Sequence, residues 1–206
     1  MHLRLIVAPA LAALLGTLLW LLPWPALAQE PARGLARQAV ARPAAGAEQR
    51  VALVIGNNAY KDAPLTNPVN DARAMADALR TAGFTVNLRT DINHRDFLVA
   101  LREFGDALRR GGVGVFYFAG HGMQIKGRNY LIPAGATIER EDEVAYAAVD
   151  AQAVLDKMEA AANATNLVIL DACRNNPFAR SFRSASQGLA QMEAPVGTLV
   201  AFATAP

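Results

Sequence analysis

An α/β fold built on a mostly parallel sheet follows from three features of this 206-residue chain. Apolar runs rich in β-branched or aromatic residues, Val51 to Ile55, Val113 to Phe118 and Leu167 to Leu170, each close on a glycine loop or a polar residue. That is the pattern of strands buried on both faces. Between them lie stretches with apolar residues at i, i+3, i+4 and i+7, the spacing of helices that turn one face to a core. Strands alternating with helices predict right-handed crossovers and therefore parallel pairing.

Met1 to Ala28 reads as a secretory signal. Arg4 gives a positive start, Leu11 to Leu22 is almost wholly apolar, and Ala26-Leu-Ala28 is a small-x-small cleavage site after Pro23 and Pro25. The remainder is expected to be exported, periplasmic or secreted. An N-terminal membrane anchor is the alternative, because Leu5 to Leu22 approaches the roughly 18 residues that span a bilayer. Residues 29–49, rich in Ala, Arg, Pro and Gly, read as a flexible linker. A formal charge of only +2 gives no reason to expect nucleic acid.

One domain, residues 50–206, follows. Val51 to Ile55 is its first strand, closing on Gly56. The Asn-, Pro- and Asp-rich loop from Asn57 to Asn70 is expected over the active edge of the sheet. Asp71 begins a helix with Ala72, Met75, Ala76 and Leu79 on one face, ended by Gly83. Phe84, Val86 and Leu88 alternate as a more exposed strand. Asn93, with Asp96 three places on, caps a second helix whose buried face is Phe97, Leu98, Leu101, Phe104 and Leu108. After the strand from Val113, Lys126-Gly127 predicts a hairpin turn. Val154, Leu155, Met158 and Ala162 predict a third helix before the strand at Leu167. Arg174 to Pro195 is a long polar loop, and Gly197 to Ala203 is a last strand.

Two of these strands run into chemistry. Cys173, the only cysteine, falls just past the end of the strand from Leu167, and His121 follows the strand from Val113 after a glycine break. His2 lies in the signal and His94 in a polar turn. Neighbouring parallel strands are about 4.8 Å apart, so adjacency would bring His121 and Cys173 within reach, the minimum nucleophile and base for acyl transfer. Taken singly, Cys173 reads as a small buried hydrophobe and His121 as a hydrogen-bonded loop residue.

Tyr117-Phe-Ala-Gly-His-Gly122 and Leu170-Asp-Ala-Cys-Arg174 together resemble the histidine and cysteine motifs of the caspase-like cysteine peptidases (peptidase C14), particularly the bacterial metacaspase branch. Caspases carry Gln-Ala-Cys with a His about 50 residues upstream; here Asp171 stands in place of the Gln. The resemblance implies a caspase-like three-layer sandwich with helices on both faces of the sheet. It implies Cys173 as nucleophile, His121 as proton carrier, and the amides of Gly122 and Cys173 as the oxyanion hole. Gly122 also reads simply as a turn residue.

Specificity turns on carboxylates. Asp171 lies two residues before the nucleophile, where a charge would raise the thiol pKa unless it faced a pocket for a cation. In metacaspases the matching aspartate, with the one matching Asp71 in Asn70-Asp71-Ala72, lines a pocket for Arg or Lys. Asp71 reads alternatively as a helix cap. The loop from Lys61 to Asn70 has no arginine, in keeping with basic rather than acidic substrates. Ala119 departs from the Ser that several metacaspases have there. Protein or peptide substrates with basic residues at the cleavage site are expected, with self-cleavage after Arg180 or Arg183 in the loop beyond the cysteine. A gingipain- or legumain-like peptidase shares the same grammar, and an inactive interaction module is the non-enzyme alternative.

No cofactor is expected. One Cys and scattered His offer no zinc site, and although some metacaspases need calcium, Glu139, Glu141, Asp142 and Glu143 read as a solvated acidic run. The sequence ends on apolar residues, and the resemblance implies a further segment that helps wall the specificity pocket, so the C-terminal part of the domain is expected to be missing.

Overall fold

The computed structural model describes residues 49–173, 182, 185–186 and 188–203. The expected signal, all but the last residue of the expected linker, and Arg174, Arg180 and Arg183 lie outside the described residues. β1 (Arg50–Gly56) is buried from Val51 onward because it has a strand on each side. β2 (Thr85–Thr90) pairs on one flank and β3 (Val113–Ile125) on the other, both parallel. β6 (Thr165–Cys173) joins β3, and β8 (Thr198–Phe202) joins β6, again parallel. The parallel order is therefore β2-β1-β3-β6-β8.

Side chains alternate across this sheet. Leu53, Ile55, Phe116, Phe118 and Leu170 face one way, onto α2 (His94–Leu108) and α4 (Gln152–Ala161), while Ala52, Val54, Val115 and Tyr117 face the other, onto α1 (Pro68–Thr81). Helices on both faces of a mostly parallel sheet make the expected three-layer sandwich. Phe97 of α2 stacks on both Phe116 and Phe118, with centroids 6.4 and 5.9 Å apart, a geometry that adds to simple burial.

The helix ends follow local chemistry with two corrections. Asn93 caps α2 by accepting the Asp96 amide at 2.9 Å, as its spacing predicts. α1, however, begins at Pro68 behind Asn67, so Asp71 is a first-turn residue and not the cap; proline at the first position suits a helix because its missing N–H has no partner there. α4 stops at Ala161, and Ala162 is an exposed left-handed cap with φ 52°. Leu98, expected in the core, is 46% exposed. It follows Phe97 by one residue, about 100° around the helix, and no second layer covers that flank among the described residues.

The larger correction concerns β3. The glycines around His121 do not break the strand; it runs on through Gly122 to Ile125, where β4 (Arg128–Leu131) pairs with it antiparallel and β7 (Ala185–Ser186) pairs with its last residues. β5 (Val149–Asp150), which follows the short helix α3 (Val144–Ala147), pairs in turn with β4. The β3–β4 turn carries positive φ at Lys126 (49°) and Gly127 (80°), the combination that matches the twist of a tight hairpin. Cys173 likewise closes β6 as its last residue and is not beyond it.

Candidate active site

The register of β3 on β6 sets His121 directly opposite Cys173 at the carboxyl edge of the parallel sheet. In open α/β sheets that edge is where ligands gather. His121 is 4% exposed, and its ring is held on one side only: Nε2 lies 2.7 Å from the Ala63 main-chain oxygen. A carbonyl only accepts, so Nε2 carries the proton of the neutral ring and Nδ1 keeps the lone pair. Nδ1 is buried with no hydrogen-bond partner among the described residues. Burial holds the imidazole below its ordinary pKa, outweighing the Ala63 bond, which acts the other way. The neutral ring is thus a base with its basic nitrogen unspent.

Tyr60 fixes the backbone beneath that ring. Its hydroxyl accepts the His121 main-chain N–H at 3.0 Å and donates to the Ile132 carbonyl at 3.0 Å, and its ring lies 4.4 Å from the imidazole. The hydroxyl passes so close to Gly120 that a Cβ there would sit 2.4 Å from it. Glycine at 120 is therefore a demand of space.

The loop carrying Tyr60 and Ala63 is itself pinned. Asp91 Oδ1 accepts the amides of Asn58 and Ala59 at 2.6 and 2.8 Å. Asn57, fully buried, accepts the Ile92 amide through Oδ1 at 3.1 Å, and its own amide donates to the Ala119 carbonyl at 2.9 Å. The expected position of this loop over the active edge holds.

Asp171 touches Tyr117, and the charge of Asp71 is felt by the same residue. Tyr117, on the α1 face of β3, donates its hydroxyl to Asp171 Oδ2 at 3.1 Å. Its pKa is pushed well above that of a free phenol by burial first, then by Asp171, and also by the charge of Asp71. Asp171 is half-buried and Asp71 exposed in the first turn of α1. Gly122 sits opposite Leu131 of β4, and a Cβ there would meet that of Ala172 at 2.9 Å. In the acidic turn Glu141–Glu143, Arg140 pairs with Asp142 and Glu143. Among the described residues no group of three His, Cys, Asp or Glu is gathered to hold a metal ion.

Sequence reasoning missed Tyr60, the Ala63 carbonyl, Tyr117 and the Asp91 anchor. Tyr60 and Ala63 lie in an aperiodic loop, and a main-chain oxygen leaves no trace in residue type. Tyr117 reads only as one more apolar position of its strand, although a tyrosine in a buried run signals a hydroxyl in need of a partner.

A layered α/β domain with a buried histidine and a cysteine side by side at the sheet's carboxyl edge defines the caspase-type class. The chain belongs to the caspase-domain family of cysteine peptidases (peptidase C14), whose match covers residues 49–206. It is similar to the human mucosa-associated lymphoid tissue lymphoma translocation protein 1 and to its mouse homolog, at 31% identity over 129 residues in each case. Those matches cover 62% of this chain but only 15% of each relative's length. In fold the chain resembles the Drosophila initiator caspase Dronc, with a TM-score of 0.53 at 17% identity, over 77% of this chain and 58% of that one.

Proposed function

We propose that the domain is a cysteine endopeptidase that cuts after Arg or Lys through a His121–Cys173 dyad. The observation that carries this reading is the pairing of His121 opposite Cys173 on adjacent strands. His121 Nδ1 takes the thiol proton as the sulfur bonds to the scissile carbonyl carbon. The resulting oxyanion is held by the amides of Gly122 and Cys173. The imidazolium then protonates the leaving amine as the C–N bond breaks, and water hydrolyses the thioester with the same histidine as base. The Ala63 carbonyl, accepting from Nε2–H, keeps the tautomer that leaves Nδ1 free and steadies the imidazolium, the orienting part that a third group plays in other dyads.

Asp171 and Asp71 form the pocket for the basic side chain in this reading. It is supported by the hydrogen bond of Tyr117 to Asp171, by the influence of the Asp71 charge on the same phenol, and by the lack of any cation paired with Asp171 among the described residues. Self-processing after Arg180 or Arg183 and export of the mature chain belong to the same proposal, as does the metacaspase branch within the family.

The test is hydrolysis of fluorogenic peptides ending in Arg, Lys or Asp, beside Cys173→Ala. Cleavage after Arg or Lys that vanishes in the variant is expected, together with a nicked wild-type chain and an intact variant by mass spectrometry. Cleavage confined to Asp peptides would overturn the pocket assignment. Silence from a folded protein would return the reading to an interaction module.

A further inference from the structure

We propose that Tyr117 is a positioning residue that fixes the Asp171 carboxylate in one plane and so makes the site prefer arginine over lysine. The inference rests on the proposed pocket for a basic side chain and goes beyond it. Tyr117 is 3% exposed, and its hydroxyl donates to Asp171 Oδ2 at 3.1 Å. The two residues belong to neighbouring strands in fixed register: Tyr117 lies opposite Ile169, and Asp171 opposite Ala119 two positions on. The tyrosine ring is packed among Val54, Ala72, Ala76 and Val115 between the sheet and α1, so the hydroxyl has little freedom to follow a rotating carboxylate. The carboxylate must instead adapt to the hydroxyl.

Held through Oδ2, Asp171 presents Oδ1 without a hydrogen-bond partner among the described residues. A half-buried carboxylate in that state favours a cation. The two candidate cations differ in what they ask of it. A guanidinium binds best through two parallel N–H bonds, which require the carboxylate plane to be set; an ammonium is a point charge with rotatable donors and tolerates any orientation. A carboxylate locked in plane therefore serves arginine disproportionately. Burial and the adjacent carboxylates raise the pKa of the phenol, so its hydroxyl stays a donor at neutral pH.

A buried tyrosine also needs a hydrogen-bond partner for its own sake, and the experiment separates that role from this one. Wild type, Tyr117→Phe and Asp171→Glu are compared on matched peptides ending in Arg and in Lys, with kcat/KM measured on the same preparation. The Arg-to-Lys ratio cancels the fraction of enzyme that is folded, so a merely structural role leaves it unchanged. Wild type is expected to prefer Arg. Tyr117→Phe should lower the ratio roughly ten-fold, the worth of one charge-assisted hydrogen bond, mainly by loss of the Arg substrate. Should that variant fail to fold, Asp171→Glu decides, since the added methylene carries the carboxylate off the hydroxyl while keeping the charge. It too should narrow the ratio. A wild-type enzyme that cleaves after both residues with a ratio unmoved in the folded variants overturns the role of Tyr117 and leaves the peptidase intact. A wild type that cleaves after neither overturns the pocket on which it rests.

Discussion

The Ala63 main-chain oxygen accepts from Nε2 of His121 at 2.7 Å, so the loop after β1 decides which nitrogen of the imidazole is basic. The loop in turn hangs on Asp91, at φ 51° just beyond β2, whose Oδ1 receives two successive amides. Asp91→Ala should therefore reach the chemistry from a distance. Loss of the shared acceptor is expected to cost about 1–3 kcal/mol of stability, and the slackened loop should lower kcat well beyond any change in KM. Urea unfolding and steady-state kinetics on the same variant check this. A destabilised enzyme with an unchanged kcat would mean the loop does not orient His121.

Tyr60 and Gly120 should be energetically coupled. Tyr60→Phe strips the partner from the buried His121 N–H and leaves the Ile132 carbonyl only its longer bond from Asn57 Nδ2 at 3.4 Å, at a cost of about 1–3 kcal/mol. Gly120→Ala forces a methyl to within 2.4 Å of the Tyr60 hydroxyl and should cost about 1–3 kcal/mol as overpacking. With the hydroxyl gone, most of that second clash goes with it. The double variant should consequently be more stable than the sum of the singles predicts, by roughly 0.5–3 kcal/mol. The Phe118 ring at 3.0 Å keeps the rescue incomplete. Strict additivity would show that the hydroxyl does not dictate glycine at 120.

The flank of α2 offers a contrast within adjacent residues. Phe97 is fully buried against Phe116 and Phe118, so Phe97→Ala is expected to cost about 3–5 kcal/mol. Leu98 is nearly half exposed, and Leu98→Lys should stay within about 0.5 kcal/mol of wild type. Thermal or urea unfolding of the pair measures both.

What could be read from the chain beforehand follows the physics of each element. The strands from Val51, Val113 and Leu167 announce themselves because burial on both faces demands unbroken apolar runs, and Asn93 announces its helix because a cap needs one side chain at one position. The adjacency of His121 and Cys173 was legible for the same reason, since each follows such a run. The continuation of β3 through Gly120 and Gly122 was not, because glycine there answers the approach of Tyr60 and Ala172, which is tertiary information. Nor was the partner of His121 Nε2, a carbonyl oxygen that any residue at 63 would supply. The charges of Asp71 and Asp171 bear on the same phenol, Tyr117, only because α1 packs on the face of β3 that carries it.

Burial of His121 also ties stability to pH. An unfolded histidine titrates near pH 6.5, whereas the folded imidazole is held below its ordinary value by desolvation. The unfolded chain therefore binds the proton first as pH falls, and protonation favours unfolding. The contribution from neutral His121 is complete above about pH 6.5 and is lost progressively as pH drops from there towards the folded pKa. Cys173→Ala is the background of choice, since without a thiol no thiolate can share the proton. Its urea midpoint should fall between pH 7.5 and 5.5, and Cys173→Ala with His121→Gln should fall by less over the same interval. Titration of the other acidic groups is common to both proteins, so the difference between the two slopes belongs to His121. Parallel slopes would mean that the folded and unfolded imidazole titrate alike, and that the ring is open to water in solution.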